Sequence, residues 1–173
     1  MPKMLLILGA SSSGKSRFAE SILAKTEAKR YYIATMRPCT EDNFRRIERH
    51  RQQRIGLGAK TLELPCTVAE APVSPGAAVL LEDVSNLLAN AMFEEGRDAE
   101  SVYMDICALQ KRCELLILVS ISGLNGEGFD METQAYINSL EKLNSLLLAS
   151  ADTALVMEQG KPSFLKGDIN GYI

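Results

Sequence analysis

Short apolar runs recur along the chain, and most are followed by a segment whose apolar positions repeat every three or four residues. Met4-Leu5-Leu6-Ile7-Leu8, Tyr31-Tyr32-Ile33-Ala34, Ala77-Ala78-Val79-Leu80-Leu81, Leu115-Leu116-Ile117-Leu118-Val119 and Thr153-Ala154-Leu155-Val156-Met157 read as strands. Their near-continuous apolar character is that of parallel strands covered on both faces. Thr61-Leu62-Glu63-Leu64 reads as a further short strand, and Ser163-Phe164-Leu165 as an antiparallel edge strand. Helical spacing appears in Arg17–Lys25, with Phe18, Ala19, Ile22 and Leu23, and in Glu132–Ser150, with Leu140, Leu143, Leu147 and Leu148. Val84–Phe93 and Asp98–Cys113 supply two more helices. Glu41–Ile55 is predicted as an amphipathic helix capped by Thr40, its apolar face formed by Phe44, Ile47 and Ile55. Pro65–Gly76, with three prolines, reads as a surface connection, Ser120–Asp130 as a glycine-rich loop, and the last eight residues as loose.

Strands alternating with helices predict an α/β fold, a mostly parallel sheet with helices on both faces. Ligands of such sheets bind beyond the carboxyl ends of the strands. Gly9–Ser16, Thr35, Glu82-Asp83 and Ser120–Gly123 all follow strands, so they are expected on one rim.

Composition narrows the function classes. The chain has 173 residues, 46% of them hydrophobic, enough for one domain spanning residues 1–173. A net charge of −3 argues against a nucleic-acid binder. No stretch approaches the roughly 20 apolar residues of a membrane span, and the first apolar run is too short for a signal peptide. A cytoplasmic protein is expected. Cys39, Cys66, Cys107 and Cys113 form no Cys-x-x-Cys pair, and with one histidine in the chain a zinc site is not expected. Free thiols fit a reducing compartment.

The most specific chemistry sits at the start. Gly9-Ala10-Ser11-Ser12-Ser13-Gly14-Lys15-Ser16 lies between a strand and a helix, the context of a phosphate-binding P-loop. Glycines let the backbone wrap an anion with its N–H groups inward, and the helix N-terminus adds positive potential. Lys15 would reach the terminal phosphates, and the Ser16 hydroxyl would hold Mg²⁺. Glu82 and Asp83, at the end of a buried strand, are candidates for the metal or its waters; Glu82 is nearer the strand, but spacing does not choose between them.

His50 lies on the Arg-rich helix, with Arg46 four residues before it and Arg54 four after. Guanidinium neighbours favour the neutral imidazole, the nucleophilic form. They could also bind phosphate in bidentate fashion. A histidine that takes a phosphoryl or nucleotidyl group and a structural histidine on a solvated basic face both fit these residues.

The residues quoted resemble a known family, the bifunctional adenosylcobinamide kinase/adenosylcobinamide-phosphate guanylyltransferases of cobalamin biosynthesis. The resemblance rests on the P-loop, Tyr32-Ile-Ala-Thr35, Arg46-Ile-Glu-Arg-His50 with Arg54, and Leu80-Leu-Glu82 with Asn86 and Asn90. Asn144 and Ala151-Asp152 also match. It implies a P-loop, RecA-like fold and a homotrimer with active sites between subunits. It implies ATP or GTP as phosphoryl donor to adenosylcobinamide, then transfer of GMP from GTP to the corrinoid phosphate through a guanylyl-histidine. His50 maps onto that histidine, Gly9 to Ser16 onto the nucleotide loop and Glu82 onto the strand-end acid. One departure stands out: the family's Asn-Glu-Val-Gly after the strand is Ser120-Ile121-Ser122-Gly123 here. Two rival readings carry over, a P-loop kinase of a small alcohol without a covalent histidine and a nucleotide-binding module without turnover.

Overall fold

A computed structural model describes residues 1–172. In chain order the elements are β1 (Lys3–Gly9), α1 (Lys15–Leu23), β2 (Arg30–Ala34), α2 (Glu41–Arg54), β3 (Ala59–Glu63), β4 (Ala77–Glu82), α3 (Val84–Glu95), α4 (Ala99–Gln110), β5 (Cys113–Ile121), α5 (Met131–Ser150), β6 (Thr153–Glu158) and β7 (Lys161–Lys166). The seven strands form one sheet in the order β3-β2-β4-β5-β1-β6-β7. All neighbours are parallel except β7, which pairs antiparallel with β6. The fold is therefore the α/β class expected, with β7 as the antiparallel edge.

Period-two geometry divides the apolar strands between two cores. Met4, Leu6 and Leu8 of β1 face one side with Val79, Leu81, Leu116 and Leu118, under α3, α4 and α5. Leu5 and Ile7 face the other with Leu80, Ile117 and Leu155, under α1. β1, β4 and β5 are buried on both faces, which is why they read as unbroken apolar runs.

Three expectations need correction. The Pro-rich connection is not a surface segment, because Cys66, Val68, Ala71 and Val73 are buried. It is held from a distance by Arg112, whose Nη1 and Nη2 donate to the carbonyls of Ala71 and Ala69 at 2.8 and 2.6 Å. The chain's last residues are not all loose: Ile169 and Tyr172 pack on the α1-side core, and Lys3 lies over the Tyr172 ring. The apolar face assigned to α2 is not buried. Phe44 is 58% and Ile55 74% exposed, and α2 has no buried residue at all.

Candidate active site

The loop after β1 follows from its two end glycines. Gly9 has φ 151°, and a Cβ there would lie 2.6 Å from Ser13 Oγ and 2.7 Å from the Met157 carbonyl. Gly14 caps α1 at φ 95°, a region that side chains disfavour. Neighbouring strands grip the loop: Ser122 N–H donates to the Gly9 carbonyl and Gly160 N–H to the Ser13 carbonyl, both at 3.1 Å. Lys15, at the start of α1, is buried, and its Nζ donates to the Ala10 carbonyl at 2.5 Å. Burial lowers its pKa, with the Asp83 charge opposing.

Thr35, at the end of β2, is buried, and its hydroxyl lies 3.2 Å from the carbonyls of both Glu82 and Asp83. Asn90 closes the other side, donating to the Thr35 carbonyl at 2.9 Å. Thr35 thus sets the backbone of the strand-end acids. Asp83 adopts φ 73°, rare for a non-glycine residue, and its Oδ1 caps α3 by accepting from Asn86 N–H at 3.2 Å. Burial raises its pKa, and capping and Lys15 act against that. Asn144 has a supporting role at the end of β5: it accepts from Ser120 Oγ at 2.7 Å and donates to the Ile121 carbonyl at 2.9 Å. Asp152 pairs reciprocally with the backbone of Met4 at the start of β1.

α2 is built by local rules. Thr40 accepts from Asn43 N–H at 3.2 Å, Glu41 and Asp42 occupy the first turn, and Arg51 and Arg54 the last. One stripe of it, Arg46, Arg49, His50 and Gln53, faces the loop at positions i, i+3, i+4 and i+7. These four, Ser11–Arg17, Thr35, Met36, Glu82, Asp83 and Asn86 line one cavity of about 620 Å³. His50 also borders a second cavity of about 350 Å³, shared with Phe44, Ile47, Arg51, Arg54 and Glu63. His50 Nδ1 lies 3.1 Å from Glu82 Oε1, too far out of line for a hydrogen bond in this arrangement.

The structure therefore brings together Ser11 to Ser16, Thr35, Arg46, His50, Glu82 and Asp83. Gly9 and Ala10 lie on the far side of the loop, against β6 and the β6–β7 turn. Arg54 lines the second cavity instead of the first; its guanidinium stacks 4.1 Å from the centroid of the Tyr32 ring. Arg49 and Gln53 line the larger of these two cavities without standing among the expected site residues, and Asn86, quoted only for the resemblance, joins them. The i, i+3, i+4, i+7 spacing through His50 was the available signal.

The fit to a magnesium nucleotide rests on the donor set. Such ions are held by one or two carboxylates plus substrate phosphates, and Ser16, Glu82 and Asp83 share the cavity with Lys15. Among the described residues no helix is long and apolar enough to cross a membrane.

Comparison with known proteins identifies the family. The family described as cobinamide kinase / cobinamide phosphate guanyltransferase matches residues 5–165. The bifunctional adenosylcobalamin biosynthesis protein CobU of Escherichia coli (strain K12) is 33% identical over 111 residues, 62% of this chain and 60% of that protein. Its namesake in Salmonella typhimurium is 28% identical over 124 residues, 68% of this chain and 66% of that protein. The chain thus spans less than two thirds of either. The CobP protein of Pseudomonas aeruginosa is 25% identical over 169 residues, 94% of this chain and 97% of that protein. A solved structure from Pyrococcus horikoshii OT3 shares the fold at 8% identity, with TM-score 0.56 over 99% of this chain and 89% of that one. By its family match over most of its length, the chain belongs to the cobinamide kinase / cobinamide phosphate guanyltransferase family.

Proposed function

We propose that the protein is a bifunctional, nucleotide-dependent transferase acting on adenosylcobinamide. In the first reaction the acceptor hydroxyl attacks the γ-phosphorus of ATP or GTP, and the nucleoside diphosphate leaves. In the second, His50 attacks the α-phosphorus of GTP: an N–P bond forms, the α–β bridging P–O bond breaks and pyrophosphate leaves. A phosphate oxygen of adenosylcobinamide phosphate then attacks the same phosphorus, the N–P bond breaks and the imidazole is restored.

The observation that carries this reading is the single cavity shared by His50, Arg46, Arg49, the P-loop and the strand-end acids. Lys15 and the inward N–H groups oppose the charge on the departing phosphates. Arg46 and Arg49 add guanidinium donors on the histidine side. Glu82 Oε1 lies 3.1 Å from Nδ1, so a small rotation of either side chain would let Glu82 accept a hydrogen bond from Nδ1–H and leave Nε2 as the attacking nitrogen. Mg²⁺, held through Ser16 with Glu82 or Asp83, supplies charge neutralisation on the phosphates when the nucleotide is bound. The protein is taken to be cytoplasmic and a homotrimer.

The test uses α-labelled GTP with Mg²⁺. Acid-labile label should appear on the protein, vanish in His50→Ala and be discharged by adenosylcobinamide phosphate. Absence of label from the wild type, or its persistence in His50→Ala, overturns the covalent step. Phosphoryl transfer from γ-labelled ATP surviving in His50→Ala while label is lost assigns the two reactions to one pocket with separable groups. Phosphorylation without any adduct leaves the simple-kinase reading, and nucleotide binding without turnover leaves the regulatory one.

A further inference from the structure

The helix that carries His50 is tied to the body by few groups. Its half-buried stripe is Asn43, Ile47, His50 and Arg54. Arg54 is the deepest tie. Its guanidinium covers the Tyr32 ring, its Nε donates to the His50 carbonyl at 3.0 Å, and its Nη1 is buried without a partner. The Tyr32 hydroxyl and Glu20 Oε1 are also buried and unpartnered. These atoms come from α1, β2 and α2, and Glu82 of β4 joins them. The Glu20 carboxyl is close enough to feel the charges of both Glu82 and Arg54, and Tyr32 feels all three.

A guanidinium cannot shed its proton, so a buried N–H of Arg54 requires an acceptor. Two carboxylates share its surroundings. Glu82 already faces His50 and the nucleotide cavity. Glu20 does neither, and its buried oxygen lacks a donor just as Arg54 Nη1 lacks an acceptor. Glu20 sits on the helix that the P-loop opens, one turn beyond Ser16. Pairing the two would join the phosphate-binding helix to the turn of α2 that holds the imidazole.

We propose that Glu20 is a positioning residue for His50: it is the counter-charge of Arg54, and through Arg54 it fixes the α2 turn that presents the imidazole to the nucleotide cavity. The proposal deepens the guanylyl-transfer reading and rests on it for its kinetic consequence. Small displacements of a reacting group cost about 10- to 100-fold in rate.

The test, run at pH 8 where the Glu20 carboxyl is ionised, compares wild type, Glu20→Gln, Arg54→Gln and the double variant. Two quantities are read: the labelling rate of His50 at saturating α-labelled GTP, and the imidazole NMR resonance of this one histidine. Glu20→Gln should slow labelling about 10-fold or more with GTP affinity unchanged, and the double variant should be no slower than Arg54→Gln. Its imidazole resonance should shift toward the position seen in Arg54→Gln. Labelling of Glu20→Gln at the wild-type rate, or losses that multiply in the double variant, overturns the proposal and leaves the guanylyl-transfer reading intact. If the wild type takes no label, that reading falls, and the resonance alone decides: a shared shift supports the pairing, an unmoved signal in Glu20→Gln overturns it. Should Glu20→Gln fail to fold, Glu20→Asp, which withdraws the carboxylate by one methylene, is read in the same way.

Discussion

Burial, reinforced by the Glu82 charge and opposed by Arg54, pushes the Glu20 carboxyl up to about 7 from an ordinary 4.5. The folded protein therefore keeps a proton on Glu20 over a range where the unfolded chain has lost it. The folded state binds more protons there, so stability falls as pH rises from 4.5 towards 7, and above that range the cost of the buried charge is complete. The full shift corresponds to at most ~3 kcal/mol, and solvent at this half-exposed group screens it further. Glu20→Gln should abolish this part of the slope: urea titrations at pH 5 and pH 8 should differ less than in wild type, with the variant the more stable at pH 8. A variant more stable at pH 8 yet slower to label would mark stability given up for function. At this scale the sequence announces Lys15, Ser16 and His50, because a P-loop and a lone histidine among arginines are local patterns. It does not announce Glu20 or Tyr32, whose partners lie on other elements.

α2 shows what one element can do without a core. Its cap, its first-turn acids and its last-turn arginines are all encoded within the segment, so its bounds are legible from the chain alone. Its orientation is not. The rule that apolar faces turn inward fails, because Phe44 is left in solvent while the stripe through Arg46, His50 and Gln53 lines a cavity built for charge. A helix with no buried side chain opens at little cost. Its amides should exchange with deuterium well before those of α1 or α5 in the free protein, and should slow at least tenfold when GTP and Mg²⁺ are added. Hydrogen-exchange mass spectrometry resolves this segment; equal protection in both states would contradict the role given to its arginines. The burial of the Pro65–Gly76 connection escapes sequence for a related reason: Val68, Ala71 and Val73 pack into a core built by distant elements, and the carbonyls of Ala69 and Ala71 are held by Arg112, far along the chain.

For the whole molecule, alternation of apolar runs and helical segments was enough for the α/β class. The strand order was not legible, since nothing in β1 names β5 and β6 as its neighbours. That order nonetheless makes the site, because it sets the ends of β2, β4, β5 and β1 in one row below one helix. Exposed apolar groups remain on this body, among them Phe93, Phe129 and Met131, and such groups mark association surfaces when they are contiguous. The homotrimer proposed above predicts sedimentation at three times the 18.9 kDa protomer; a monomeric boundary at micromolar concentration would refute it.

The absence of buried side chains in α2 also bears on how such a protein diverges. Changes at Arg46, Arg49 or Gln53 alter what the cavity accepts while leaving both hydrophobic cores untouched. Cellular abundance, which follows folding stability, is then insulated from drift in substrate preference. A lineage can retune this protein through one exposed helix without risking its supply.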